Sequence, residues 1–178
     1  NLGSRSDRKD RGRVATFCVP SKQAPRGRPI ATMAASPFLG LWTFSRMEDE
    51  QYHTVLEKQG LPWAVRRFLQ AFTAQREMVI DENGKFLFKS KMLTGSWNEL
   101  HCDEPTVFSV LGYTIDTLVA WENDGSLLVS TCKTTAADGF VTTGWTATTR
   151  ITHEVVGDEL EITTIAADGQ YKMWMTRT

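Results

Sequence analysis

With 178 residues, 41% of them hydrophobic and 23% charged, the chain has room for one ordinary core, which excludes a large multidomain enzyme, a fibrous repeat or wholesale disorder. Its net charge of −1 conceals two unequal parts: residues 1–32 hold eight Lys or Arg against two acids, a balance of +6, and the remaining twelve bases and nineteen acids leave −7. An acidic body has no surplus of cations to neutralise phosphates, so nucleic acid is not expected as the main partner.

Residues 1–32 are rich in Arg, Ser, Gly and Pro and lack an apolar period. Such a stretch cannot bury enough surface to offset its chain entropy, and it reads as a basic, flexible tail ahead of one domain at 33–178. Three readings of the tail stand open. Met33 is the true start, or the tail is a processed organelle leader, or it is an arm that docks on an acidic protein partner. No apolar run approaches the ~20 residues that span a bilayer, and the most apolar stretch, 107–121, is interrupted by Asp116, so a soluble protein is expected. The three cysteines, Cys18, Cys102 and Cys132, are an odd number without metal spacing, and no Asn-x-Ser/Thr sequon occurs. A reduced, cytoplasmic compartment is expected, or an organelle if the tail is a leader.

The first strand is placed at about 38–47. A short amphipathic helix follows at 48–59, with acids at its start, Tyr52, Val55 and Leu56 at helical spacing and Gly60 as a stop. Pro62 then opens a second helix to about Phe72, with Trp63, Phe68 and Leu69 apolar. Beyond it the Asx-Gly pairs Asn83-Gly84, Asp124-Gly125, Asp138-Gly139 and Asp168-Gly169, with Gly157-Asp158, mark tight reversals between β-prone runs. The spacing predicts strands near 76–81, 85–91, 94–101, 106–111, 113–122, 126–135, 140–152, 159–165 and 170–178. Ten antiparallel strands in so short a chain would leave bare edges as a flat sheet. A mainly β fold is therefore expected, a ten-stranded up-and-down barrel of the lipocalin-like, calycin type with a helix-turn-helix lid between its first two strands.

On the 140–152 strand, Thr142, Thr146, Thr148, Arg150 and Thr152 share one face by the period of two, and Val141, Trp145, Ala147 and Ile151 share the other. Either face can point inward on pattern alone. The mixed Thr and Arg face is read as the wall of a hydrated cavity.

Several segments resemble the intracellular lipid-binding protein family, the fatty-acid-binding and cellular retinoid-binding proteins. Phe38-Leu39-Gly40-Leu41-Trp42 is similar to that family's opening Phe-x-Gly-x-Trp. Leu56, Gly60 and Val65-Arg66-Arg67 resemble its lid, Leu118 to Asn123 its strand-turn segment, Thr149-Arg150 its Thr-Arg pair, and Asp158-Glu159-Leu160 the start of its penultimate strand. Met175-Thr176-Arg177-Thr178 matches the first three positions of its closing Thr-Arg-x-Tyr, with no Tyr following. The resemblance spans about 37–178 and implies binding and intracellular transport of a small lipophilic ligand, commonly a carboxylate such as a fatty acid.

The ligand residues so implied are Arg150 and Arg177 for the carboxylate, with Thr148, Met173, Met175 and Tyr171 lining the cavity. Val65, Phe68, Leu69, Leu93 and Thr94 form the portal, and the lid allows transient membrane contact. A buried guanidinium is unfavourable without a partner, so Arg150 meets a ligand carboxylate or an acid such as Glu122 or Asp116, or it faces solvent. His53 and Glu57, four apart on a helix, lack a third metal ligand and read as a surface pair. No cofactor, metal cluster, phosphate loop or catalytic triad is evident, so no enzymatic activity is expected. The alternative to a carrier is a non-enzymatic barrel subunit of a larger assembly, docked through the basic tail.

Overall fold

A computed structural model describes residues 36–71, 74–91, 95–110, 112–136 and 146–178. The alternating segments form ten antiparallel strands among these residues. They are β1 (Gly40–Met47), β2 (Gln75–Ile80), β3 (Phe86–Lys91), β4 (Trp97–His101), β5 (Thr106–Val110), β6 (Tyr113–Glu122), β7 (Leu127–Ala136), β8 (Thr146–Val156), β9 (Glu159–Ala166) and β10 (Gly169–Arg177). The sheet order is β4-β3-β2-β1-β10-β9-β8-β7-β6-β5, so β1 pairs with both β2 and β10 and the barrel stays open only between β4 and β5. Across that opening the chain leaving β4 makes a bridge between Cys102 and Val119, and the Asp103 amide donates to the Val119 carbonyl at 2.7 Å. The result is the nearly closed, lidded barrel expected from the strand count.

Two helices join β1 to β2. Helix α1 (Asp49–Lys58) carries Asp49 and Glu50 in its first turn and Lys58 in its last, charges that suit the helix dipole, and Gly60 ends it at φ 82°. Helix α2 (Trp63–Gln70) starts directly after Pro62. Tyr52 and Val55 of α1 pack on Tyr171 of β10, with the two tyrosine rings edge to face at 5.2 Å. The helices are tied by Arg66, which is buried rather than solvated. Its Nη1 lies 3.1 Å from Glu57 and donates to the His53 carbonyl. Glu57 therefore pairs with Arg66, and the His53 ring bonds Gln70 at 3.0 Å, in place of the surface pair expected between Glu57 and His53.

The reversals follow their sequence signals. At Asn83-Gly84 the Asp81 carboxylate accepts from the amides of Asn83 and Lys85, and Gly84 sits at φ 76°. Asn123, Asp124 and Gly125 form a short 3-10 turn with positive φ at all three residues. Strand β8 extends to Val156, four residues past its expected end; its expected start, like Asp138-Gly139 and Thr142, lies outside the described residues.

The apolar core occupies the barrel end away from the helices. Trp42, Met78, Leu128, Leu160, Ile162 and Met175 are sealed there, and Phe38 and Phe86 meet the Trp121 ring edge to face at 5.2 and 4.9 Å. The indole of Trp42 donates to the Phe38 carbonyl at 2.8 Å, which folds the opening segment under the barrel.

Candidate functional site

A cavity of about 160 Å³ opens inside the barrel between β2 and β8. Its apolar wall is Phe88, Leu100, Phe108, Ile115 and Ile151. Its polar wall is Ser90 and Thr117, then Ser130, Cys132 and Thr134 of β7, then Thr149 and His153 of β8, with Arg76 of β2 facing them. No residue of α1, α2, β1, β9 or β10 contributes to this lining. Strand alternation explains the set. Arg76 shares its parity with fully buried Met78, and Thr149, Ile151 and His153 are the odd positions of β8.

Arg76 is the cation of the cavity. Desolvation lowers its pKa to about 10, so it keeps its charge at neutral pH, and it stands half-buried in the cavity wall. Its Nη1 donates to the Gln75 carbonyl at 3.1 Å, and no carboxylate among the described residues pairs with it. On the facing wall the Cys132 Sγ lies 3.2 Å from the Thr117 hydroxyl, and burial raises the thiol pKa. Cys132 and Cys102 are both free thiols.

His153 is 2% exposed, with its ring edge against Phe88 at 5.2 Å. Burial, and then the nearby Arg76 charge, push its pKa down to about 3, so the imidazole is neutral. Its Nδ1 lies 3.2 Å from the Leu128 carbonyl. That oxygen can only accept, so Nδ1 carries the proton and Nε2 is the bare acceptor. The Ser130 hydroxyl, 4% exposed by residue, is buried without a hydrogen-bond partner.

The structure places the sequence-selected ligand residues elsewhere. Arg150 lies on the outer face of β8, opposite exposed Thr131, where its Nη1 and Nη2 donate to the two Glu122 carboxylate oxygens at 2.9 and 2.7 Å. With 40% of its side chain exposed it does not face the cavity, and the Glu122 pairing weighed from the sequence is the one formed. Thr148 shares that outward parity and is exposed, opposite Lys133. The expectation that the Thr and Arg face lines the cavity is corrected: Thr149, Ile151 and His153 line it, one residue out of phase.

Arg177 stands at the barrel's lower end, where it stacks over the Trp42 ring at 4.5 Å and donates to the Pro37 and Leu39 carbonyls. Gly40 leaves room for it, since a Cβ there would sit 3.1 Å from Nη1. Met175 is sealed in the apolar core, Met173 packs between that core and the lid cluster, and Tyr171 belongs to the lid cluster, so none of the three lines the cavity. Of the portal residues, Phe68 is exposed, Val65 is half-buried and Leu69 packs on the lid cluster; Leu93 and Thr94 lie outside the described residues.

Neither a protein-family model nor a curated protein matches the sequence. Solved structures do match over the barrel. A Schistosoma mansoni fatty-acid-binding protein in complex with arachidonic acid is 22% identical, covers 79% of this chain and 96% of its own, and superposes with a TM-score of 0.59. Human cRBP IV is 16% identical over 80% of this chain and 99% of its own, with a TM-score of 0.55. Secretory abundant heat soluble protein 4 from Ramazzottius varieornatus is 14% identical over 80% and 95%, with a TM-score of 0.60. The fold is that of the fatty-acid- and retinoid-binding proteins. At these identities the likeness establishes architecture, and function rests on the site.

Proposed function

We propose that this barrel binds and carries a small lipophilic ligand with a carboxylate head, and that Arg76 is the group that receives it. The observation that carries this reading is a desolvated guanidinium lining a cavity with no acid among the described residues to neutralise it. Enclosing a cation costs several kcal/mol unless an anion or well-placed acceptors compensate, and a bound carboxylate supplies both in a bidentate fork. The wall of Phe88, Leu100, Phe108 and Ile151 takes the apolar tail. The structural neighbour solved with arachidonic acid supports the same ligand class.

The cavity of about 160 Å³ is smaller than the roughly 300–1,000 Å³ of pockets for drug-sized ligands, which favours a medium-length chain. Trp63 and Phe68, exposed on α2 beside Arg67, supply an apolar and cationic surface suited to brief membrane contact during ligand exchange. Displacement of anilinonaphthalene sulfonate from the full chain by decanoate tests the reading. Decanoate is expected to displace the dye, and Arg76→Gln to weaken decanoate about tenfold or more, as loss of a charge-assisted pair implies. Failure of decanoate, longer acids and retinoids alike to displace the dye would refute it.

A further inference from the structure

We infer that the cavity is built for an acid that also carries a hydroxyl partway along its chain, the hydroxyl donating to His153 Nε2 while the carboxylate meets Arg76. This rests on the proposed binding of a lipophilic acid and adds a second polar point to it. A plain alkyl acid satisfies Arg76 and leaves the other two polar groups of the deep wall bare. The hydrogen bond that the His153 ring makes among the described residues is the one through Nδ1, which leaves Nε2 for a ligand, and the Ser130 hydroxyl is buried without a partner. Both side chains are more than nine-tenths buried and both line the cavity.

The tautomer fixes the polarity of what is recognised. Because Nδ1–H is spent on the Leu128 carbonyl and the ring is neutral, Nε2 can accept and cannot donate. A ketone or an ether oxygen would meet it lone pair to lone pair, whereas a hydroxyl brings the missing proton. Ser130 pairs with Ile151 across the β7–β8 ladder, which sets it diagonal to His153 on the inward face. Its rotatable hydroxyl can donate to the ligand oxygen while that oxygen's own O–H donates to His153.

The spacing of the two points follows from the strands. Arg76 is level with Ser90 on β3, and His153 packs on Phe88, two residues deeper along the same strand. Two residues of strand are ~7 Å, an axial offset that calls for a hydroxyl several carbons from the carboxylate, and 5-hydroxydecanoate is the probe of that kind.

The test compares decanoate with 5-hydroxydecanoate on the full chain at neutral pH. The wild type is expected to bind the hydroxy acid about five- to tenfold more tightly, the share of one net hydrogen bond. His153→Phe keeps a ring against Phe88 and is expected to bind the two acids with equal affinity, so that the preference for the hydroxy acid is lost. Nitrogen NMR of the imidazole gives a second readout that needs no variant: the Nε2 resonance moves upfield with 5-hydroxydecanoate and stays with decanoate. Equal affinities in the wild type, an unmoved Nε2 resonance, or a preference that survives in His153→Phe overturns the inference while leaving acid binding intact. If neither acid binds, the inference falls together with the reading it rests on.

Discussion

His153 couples the cavity to pH through the unfolded chain. Its pKa is about 3 in the fold and near 6.5 in the unfolded chain, so between these values the unfolded state takes up a proton that the native state refuses. Stability conferred by the neutral ring is complete above pH 6.5 and drains away as pH falls toward 3. From pH 7.5 to 5.5 the loss attributable to this residue is on the order of 1 kcal/mol, read as a lower urea midpoint, and His153→Phe is expected to remove that part of the slope. An unchanged slope in the variant would place the proton uptake elsewhere. Arg150 offers the opposite case. Its fork with Glu122 lies on a water-exposed face, where such pairs contribute about 0–1 kcal/mol. Arg150→Gln should therefore cost little stability and leave decanoate affinity unaltered, and a large loss of binding would contradict its outward placement.

At the scale of elements, the lid is seated through the β9–β10 turn. Gly169 holds φ 144°, a conformation that side chains other than glycine rarely adopt, and a Cβ there would lie 3.2 Å from a Val55 methyl of α1. Gly169→Ala is expected to cost about 1–3 kcal/mol and to increase amide exchange in α1 more than in β3, because strain and overlap fall on one contact between turn and helix. Uniform destabilisation without local opening would show that α1 is held elsewhere. The lid, the hairpins and ten strands were legible because Asx-Gly pairs, Pro62 and Gly60 punctuate the chain sharply. The phase of β8 was not. Its even positions offer Thr and Arg, its odd positions Thr, Ile and His, and a cavity wall that is itself polar removes the contrast that normally tells inside from outside. Gln75, Arg76 and Glu77 are polar in succession, a pattern that does not single out Arg76 as inward. The usable signal was its parity with Met78 and Ile80, which sets it on the apolar side of β2.

Across the whole molecule the interior is divided between a packed end and a hollow one. The apolar core holds the barrel together, while the cavity keeps a cation, the unpartnered Ser130 hydroxyl and an imidazole acceptor that each reduce the stability of the empty protein. A site organised for binding is thus expected to be a site of stored cost, and Arg76 carries the largest share because its charge is desolvated with no acid paired to it among the described residues. Replacing it with methionine, similar in length and apolar, is expected to raise the stability of the ligand-free protein by about 1–2 kcal/mol in urea. The same change should abolish the gain that decanoate gives the wild type, which at a hundredfold excess over its dissociation constant is about 2.7 kcal/mol. The order of stabilities would then invert on adding ligand, with the variant ahead when empty and the wild type ahead when loaded. Arg76→Met less stable than the wild type in both conditions would mean that the bond to the Gln75 carbonyl and the side-chain packing matter more than the enclosed charge, and that this guanidinium supports the barrel rather than waiting for an anion.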